Sequence, residues 1–97
     1  MPTADISESA TVVAAPDVLS SAFAKDTVML NLADGVYYGL DQVGTRVWDL
    51  IRQPVTVGYL RDTLVSEYDV DPQRCERDLR ALLGELVAKG LVRIAVA

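Results

Sequence analysis

The sequence predicts an α+β fold in which a three-stranded antiparallel sheet is followed by three helices. Three observations predict it: β-forming runs fill the chain before Leu40, an Asp-Gly pair separates two of these runs, and the apolar residues after Leu40 follow helical spacing. A small antiparallel sheet with its helices segregated to one side belongs to the α+β class. The length of 97 residues and the hydrophobic content of 51% suit one domain with one core.

The first strands are predicted from residue type. Residues 1–10 are small and polar, so we expect a disordered tail there and a single domain over residues 11–97. β-forming residues begin at Thr11, stop at Pro16-Asp17 and resume over Val18–Phe23.

A hairpin is predicted over residues 27–32 and 36–40. Val28, Leu30 and Leu32 alternate at period two, which predicts that they form the buried face of the first strand. The Asp34-Gly35 pair predicts the turn, because glycine tolerates the positive φ of tight hairpin turns.

The return strand of the hairpin carries two adjacent tyrosines. Val36, Tyr38 and Leu40 share one face. Because neighbouring residues of a strand point to opposite faces, one of Tyr37 and Tyr38 faces the helices and the other faces solvent or a partner.

The three helices are predicted from their caps. Asp41, Thr56 and Asp71 are candidate N-caps, and Pro72 follows Asp71 at the position where its missing N–H costs nothing. Pro54 ends the first helix and Gly90 the third. Apolar residues at helical spacing define one face on each helix. They are Val43, Val47, Trp48, Leu50 and Ile51 on the first helix, Val57, Leu60, Leu64 and Tyr68 on the second, and Cys75, Leu79, Leu82, Leu83 and Leu86 on the third. Residues 91–96 are expected to form a last extended piece, and the whole arrangement resembles a winged helix-turn-helix.

The composition excludes several classes of function. The net charge of -5 argues against nucleic acid as a partner, since phosphate binding requires a basic face. No apolar run reaches the length of a membrane span, so no membrane partner is expected. Acidic residues stand where a signal peptide would carry Lys or Arg, and Cys75 is the only cysteine. We therefore expect a cytoplasmic protein.

The sequence offers little for catalysis. It contains no histidine, so Cys75 lacks the base that would make it a nucleophile. Its glycines match no phosphate-binding loop, which leaves no cofactor or metal site to predict. We expect a protein that is not an enzyme, with Cys75 and Trp48 as core residues.

Two segments together resemble a known family. They are the hairpin and its continuation, Leu30–Asp41 followed by Val43–Leu50, and the later run Tyr68–Pro72 with Asp78-Leu79, Leu82-Leu83, Leu86 and Gly90–Val92. This ordered set, an aromatic-Gly-Leu-Asp run leading into a helix with a Val-Trp pair, resembles the PqqD-like family. The Asp34–Trp48 part is similar to the stand-alone members of lasso-peptide systems.

The resemblance implies a non-catalytic recognition element for a ribosomally made precursor peptide (a RiPP recognition element). Such a protein binds the precursor's leader as an added strand on the hairpin edge and presents the peptide to a leader peptidase and a lasso cyclase. The peptide-binding residues implied are Val36, Tyr37, Tyr38, Gly39 and Leu40 on the edge strand, and Cys75, Asp78, Leu79 and Leu82 on the third helix.

Alternatives remain open at this point. A related leader-binding protein could serve another pathway, such as the maturation of pyrroloquinoline quinone or of a radical-enzyme-modified peptide. A winged-helix transcriptional regulator is the alternative from a different class. Asp78 has two readings of equal weight, a contact to the peptide or an ion pair with Arg46 or another arginine of the chain.

Overall fold

The computed structural model describes residues 6–7, 9–23 and 26–95. Its elements in chain order are β1 (Thr11–Ala14), β2 (Val18–Phe23), β3 (Asp26–Asn31), β4 (Val36–Leu40), α1 (Gln42–Leu50), β5 (Val55–Thr56), α2 (Val57–Glu67), α3 (Pro72–Ala88) and β6 (Val92–Ala95). One antiparallel sheet has the order β2-β3-β4. The predicted class, with a three-stranded antiparallel sheet ahead of three helices, is confirmed.

A second sheet, which the sequence did not predict, has the order β5-β1-β6. Its central strand β1 pairs with β6 over the full length Thr11–Ala14, so it joins segments about eighty residues apart in the chain. Such pairing leaves no local signal, because each partner alone is only a short run of β-forming residues. The predicted extended piece near the C-terminus is β6.

The hairpin of β3 and β4 is held in place against α3. Gly35 in the turn adopts φ +73°, as the Asp-Gly pair predicted. The side chain of Asn31 donates to the carbonyl of Lys89 at 3.0 Å and accepts from the backbone N–H of Ala33 at 2.9 Å. This one amide therefore ties the hairpin turn to the end of α3.

The buried face of β3 is the opposite of the one predicted. Thr27, Met29 and Asn31 are buried, whereas Val28 is exposed and Leu32 lies in the turn, 56% exposed. Only Met29 is apolar on the buried face of β3, where Thr27 and Asn31 flank it, so period two favours the opposite face, which carries Val28 and Leu30. The packing of α1 against β3 overrides that pattern and buries Met29.

The caps and ends of the helices agree with the prediction. Asp41 accepts from the N–H of Gly44 at 2.9 Å, Thr56 from Tyr59 at 3.1 Å and Asp71 from Arg74 at 2.9 Å. Beyond α3, Gly90 has φ +74°. No helix within the described residues is long and apolar enough to span a bilayer.

The core lies where the three helices meet the inner faces of the sheets. It includes Trp48, which is 3% exposed, as expected of a core residue. Ile6 is also buried in it, so the packed part of the chain begins ahead of Thr11. The disordered tail stays a prediction for residues 1–5 and 8, which lie outside the described residues.

Candidate functional site

A groove of about 770 Å³ lies between β4 and the first half of α3. Four segments line it: Tyr38, Gly39 and Leu40 of β4; Asp41, Val43, Gly44 and Val47 of α1 and its cap; Leu64, Tyr68, Asp69, Val70 and Asp71 at the end of α2 and in the turn after it; and Arg74, Cys75, Asp78, Leu79 and Leu82 of α3. The floor is apolar, since Val47, Leu64 and Leu79 belong to the core.

The groove brings together seven of the nine residues that the family resemblance implied. They are Tyr38, Gly39, Leu40, Cys75, Asp78, Leu79 and Leu82. Tyr37 does not line the groove; its side chain is 69% exposed on the outer face of the sheet, while Tyr38 faces inwards. The side chain of Val36 lies outside the described part of the structure.

Sequence reasoning missed the wall formed by the start of α1 and by the turn between α2 and α3. Val43 and Val70 are each 43% exposed and line the groove. Helical spacing predicts Val43 on the same face as Val47, whereas the structure leaves it open to the groove. The signal at Val70 is its position between Asp69 and Asp71, where an apolar side chain has no core to enter.

The free edge of β4 borders the groove. The sheet ends at β4, and no strand among residues 6–7, 9–23 and 26–95 pairs with its outer side. The segment Val36–Leu40 contains neither proline nor lysine, the residues that commonly protect an edge from pairing. The other edge of this sheet, β2, contributes nothing to the lining.

Tyr38 lines the groove in a fixed position. Its hydroxyl donates to Glu85 Oε2 at 2.8 Å, and Lys89 Nζ lies 5.6 Å from the centre of its ring. Burial and the bond to Glu85 raise the pKa of Tyr38, so the phenol stays protonated and keeps donating. These contacts fix the position of the Tyr38 ring against the second half of α3 and its C-cap.

The charged part of the groove lining is mainly acidic. The lining includes Asp41, Asp69, Asp71 and Asp78 but only one basic residue, Arg74. Arg74 lies 3.8 Å from Asp78, and both side chains are exposed, so the pair is weak.

The ion pair predicted as the second alternative for Asp78 is therefore formed, and its arginine is Arg74. Arg46 instead binds Glu67 through two hydrogen bonds of 2.8 and 2.7 Å. The pKa of the Glu67 carboxyl is held below its usual value by that bond. Because Asp78 is exposed and Arg74 lies as far as 3.8 Å from it, its carboxylate is accessible from the groove.

The chemistry of the groove is that of binding. Cys75 lines it, but burial and the nearby Asp78 raise the pKa of its thiol, which disfavours the nucleophilic thiolate. Within the described residues no cluster of His, Cys, Asp or Glu is suited to a metal ion. An apolar floor beside an unpaired strand edge suits an extended chain with apolar side chains.

The family follows from comparison with known proteins. The family model described as coenzyme PQQ synthesis protein D (PqqD) matches residues 26–92, which include the β3–β4 hairpin and all three helices. The chain belongs to the PqqD family. No match was found among curated proteins.

Two solved structures resemble this PqqD-family chain. One is described as TbiB1 in complex with the TbiA(beta) leader peptide; it is 34% identical, with a TM-score of 0.79 over 88% of this chain and 99% of that one. The other, lasso peptide synthetase B1 complexed with the leader peptide, is 23% identical, with a TM-score of 0.66 over 84% of this chain and 96% of that one. The second comparison shows that the fold is shared.

Proposed function

We propose that this PqqD-family protein binds the leader region of a ribosomally synthesised precursor peptide in lasso-peptide biosynthesis. The leader adds as a strand to the free edge of β4 and sets its inward side chains into the groove against α3. The observation that carries the proposal is that one unpaired strand edge and one apolar groove share the residues of β4.

The backbone of β4 supplies an affinity that does not depend on the peptide's sequence. β4 has five residues, and in an edge strand alternate residues leave their N–H and C=O groups free. An extended peptide satisfies these groups with main-chain hydrogen bonds, as in other β-strand additions.

The groove supplies selectivity for apolar side chains. Alternate residues of the added strand point into the groove, where Leu82 and Cys75 are half-buried and Val43 and Val70 are exposed. The volume of about 770 Å³ is enough for a few side chains and not for a folded partner. We therefore assign leader recognition to one or two apolar anchors in this groove.

The family supports the same role. TbiB1, which shares 34% of its residues with this chain, is described in complex with a leader peptide. We assign the same kind of ligand to this chain, in a binding role without catalysis or cofactor. A leader peptidase and a lasso cyclase are the proposed recipients of the bound precursor, in the cytoplasm.

The experiment is an amide hydrogen-exchange titration with a synthetic leader of the precursor encoded beside this chain's gene. Alternate amides of Val36–Leu40 should become protected when the peptide binds. The matched control is β2, the other edge of the same sheet, whose amides should exchange at unchanged rates. Tight binding that protects β2 or α2 and leaves β4 unchanged would exclude strand addition at β4.

A further inference from the structure

Gly39 leaves an open notch on the outer face of β4, the face that points away from the core. It is directly opposite Val28, which is itself exposed on that face. A Cβ atom built on Gly39 would have no atom within 4 Å among the described residues. Gly39 does not have a positive φ. Neither conformation nor crowding in the free protein therefore requires glycine at this position.

A strand glycine that neither its φ nor crowding requires indicates that a ligand or another backbone comes close to it. Glycine weakens a strand, because it loses more backbone entropy than other residues and provides no side chain to pack. Inside a strand it often marks the place where a ligand or another backbone comes close. Gly39 is the fourth of the five residues of the edge strand to which the proposed peptide adds.

The surroundings of the notch are apolar. Tyr37, two residues away on the same face, is 69% exposed, and Val28 is 37% exposed. Tyr37 is opposite Leu30, and Leu30 is opposite Leu19, so an apolar row crosses the outer face and ends at the free edge of β4. The row is continuous with the position of the added strand.

We infer that the peptide strand bound to β4 places a large apolar side chain, best an aromatic one, over Gly39 against Tyr37 and Val28. The inference rests on the proposed strand addition, in which every second peptide residue points outwards. Aromatic side chains on a neighbouring strand cover edge glycines in sheets in this way. Tyr37 and Gly39 thus select the outward residue, while the groove selects the inward ones.

The geometry sets a rule for the peptide. Side chains on opposite faces of a strand are separated by an odd number of positions. The groove anchor and the outward anchor of the leader are therefore an odd number of residues apart. The leader is recognised on both faces.

The test compares stability and peptide affinity in Gly39→Val. The added side chain enters open space and favours a strand, so the thermal midpoint of the free protein should stay the same or rise. The same side chain occupies the notch, so the affinity for the synthetic leader should fall at least about tenfold. Tyr37→Ser should weaken binding by roughly 2- to 5-fold, the range of a cross-strand pair. Leu19→Ser, on the same face but two strands away, is the matched control and should leave the affinity unchanged.

A peptide scan keeps the result decisive even if Gly39→Val is unstable. Replacing the outward anchor of the leader by alanine should weaken its binding to the wild-type protein. The same replacement should change the affinity of the leader for the Gly39→Ala protein little. If the wild-type protein binds leader and protects β4 while Gly39→Val and Gly39→Ala bind as tightly as wild type, the notch is empty in the complex and the inference is wrong. If the wild-type protein does not bind leader at all, the proposed function fails instead.

Discussion

Replacing Val43 by aspartate is expected to weaken leader binding at least about fifteenfold without unfolding the protein. Val43 lines the groove and is 43% exposed, so the free protein does not depend on it for its core. It lies in the first turn of α1, where a negative charge is favourable beside the helix N-terminus. Leu79, which is 3% exposed, is a poorer choice, because a charge there would test folding rather than binding.

The magnitude follows from the exposure of the side chain. Full burial of a valine contributes about 1.5–3 kcal/mol, so covering the exposed 43% of Val43 contributes roughly 0.6–1.3 kcal/mol. A carboxylate covered by the peptide without a partner costs a further ~1–3 kcal/mol. The sum is roughly 1.6–4.3 kcal/mol, so the affinity should fall at least about fifteenfold.

The assay is titration of the fluorescently labelled leader, with circular dichroism to establish that each variant is folded. The matched control is Tyr59→Asp. Tyr59 is also an exposed apolar residue in the first turn of a helix, α2, but it does not line the groove. Its variant should bind like the wild type. A folded Val43→Asp protein that keeps wild-type affinity would refute the assignment of the groove to the leader.

Three further outcomes are expected. Trp48→Ala should lower the free energy of unfolding by roughly 3–5 kcal/mol in urea titrations, since Trp48 is 3% exposed. If the variant keeps its stability but loses leader binding, Trp48 is a ligand contact instead. With a net charge of -5, the protein should not shift duplex DNA at physiological salt, and sub-micromolar, sequence-selective binding would contradict this. Because the pKa of Cys75 is raised, less of it is thiolate at a given pH. Its alkylation near pH 8, followed by mass spectrometry, should be slower than that of an unstructured cysteine, and slower still when leader is bound. An equal or faster rate would contradict the environment described for Cys75.

Features that depend on neighbours in the chain could be predicted from the sequence. The three helix caps, Asp41, Thr56 and Asp71, satisfy backbone N–H groups only three residues away, so residue type alone indicates them. The Gly35 turn is equally local. The absence of histidine and the acidic composition argue against catalysis and nucleic-acid binding whatever the fold.

The face of β3 and the second sheet were decided by tertiary structure. Hydrophobic period two favours the face of Val28 and Leu30, but the packing of α1 buries Met29 instead, together with the polar Thr27 and Asn31. The pairing of β1 with β6 joins the two ends of the described chain, and short β-forming runs do not indicate their distant partners.

The groove was predictable only in part for the same reason. The resemblance pointed to β4 and α3, and those seven residues do line one groove. The wall that contains Val43 and Val70 exists only because the start of α1 and the turn after α2 come together in space. Sequence periodicity indicates which residues are apolar along an element, but whether an apolar residue is buried in the core or left open in a groove depends on what packs against it. That difference, between Leu79 at 3% exposed and Val43 at 43%, is set by the tertiary structure alone.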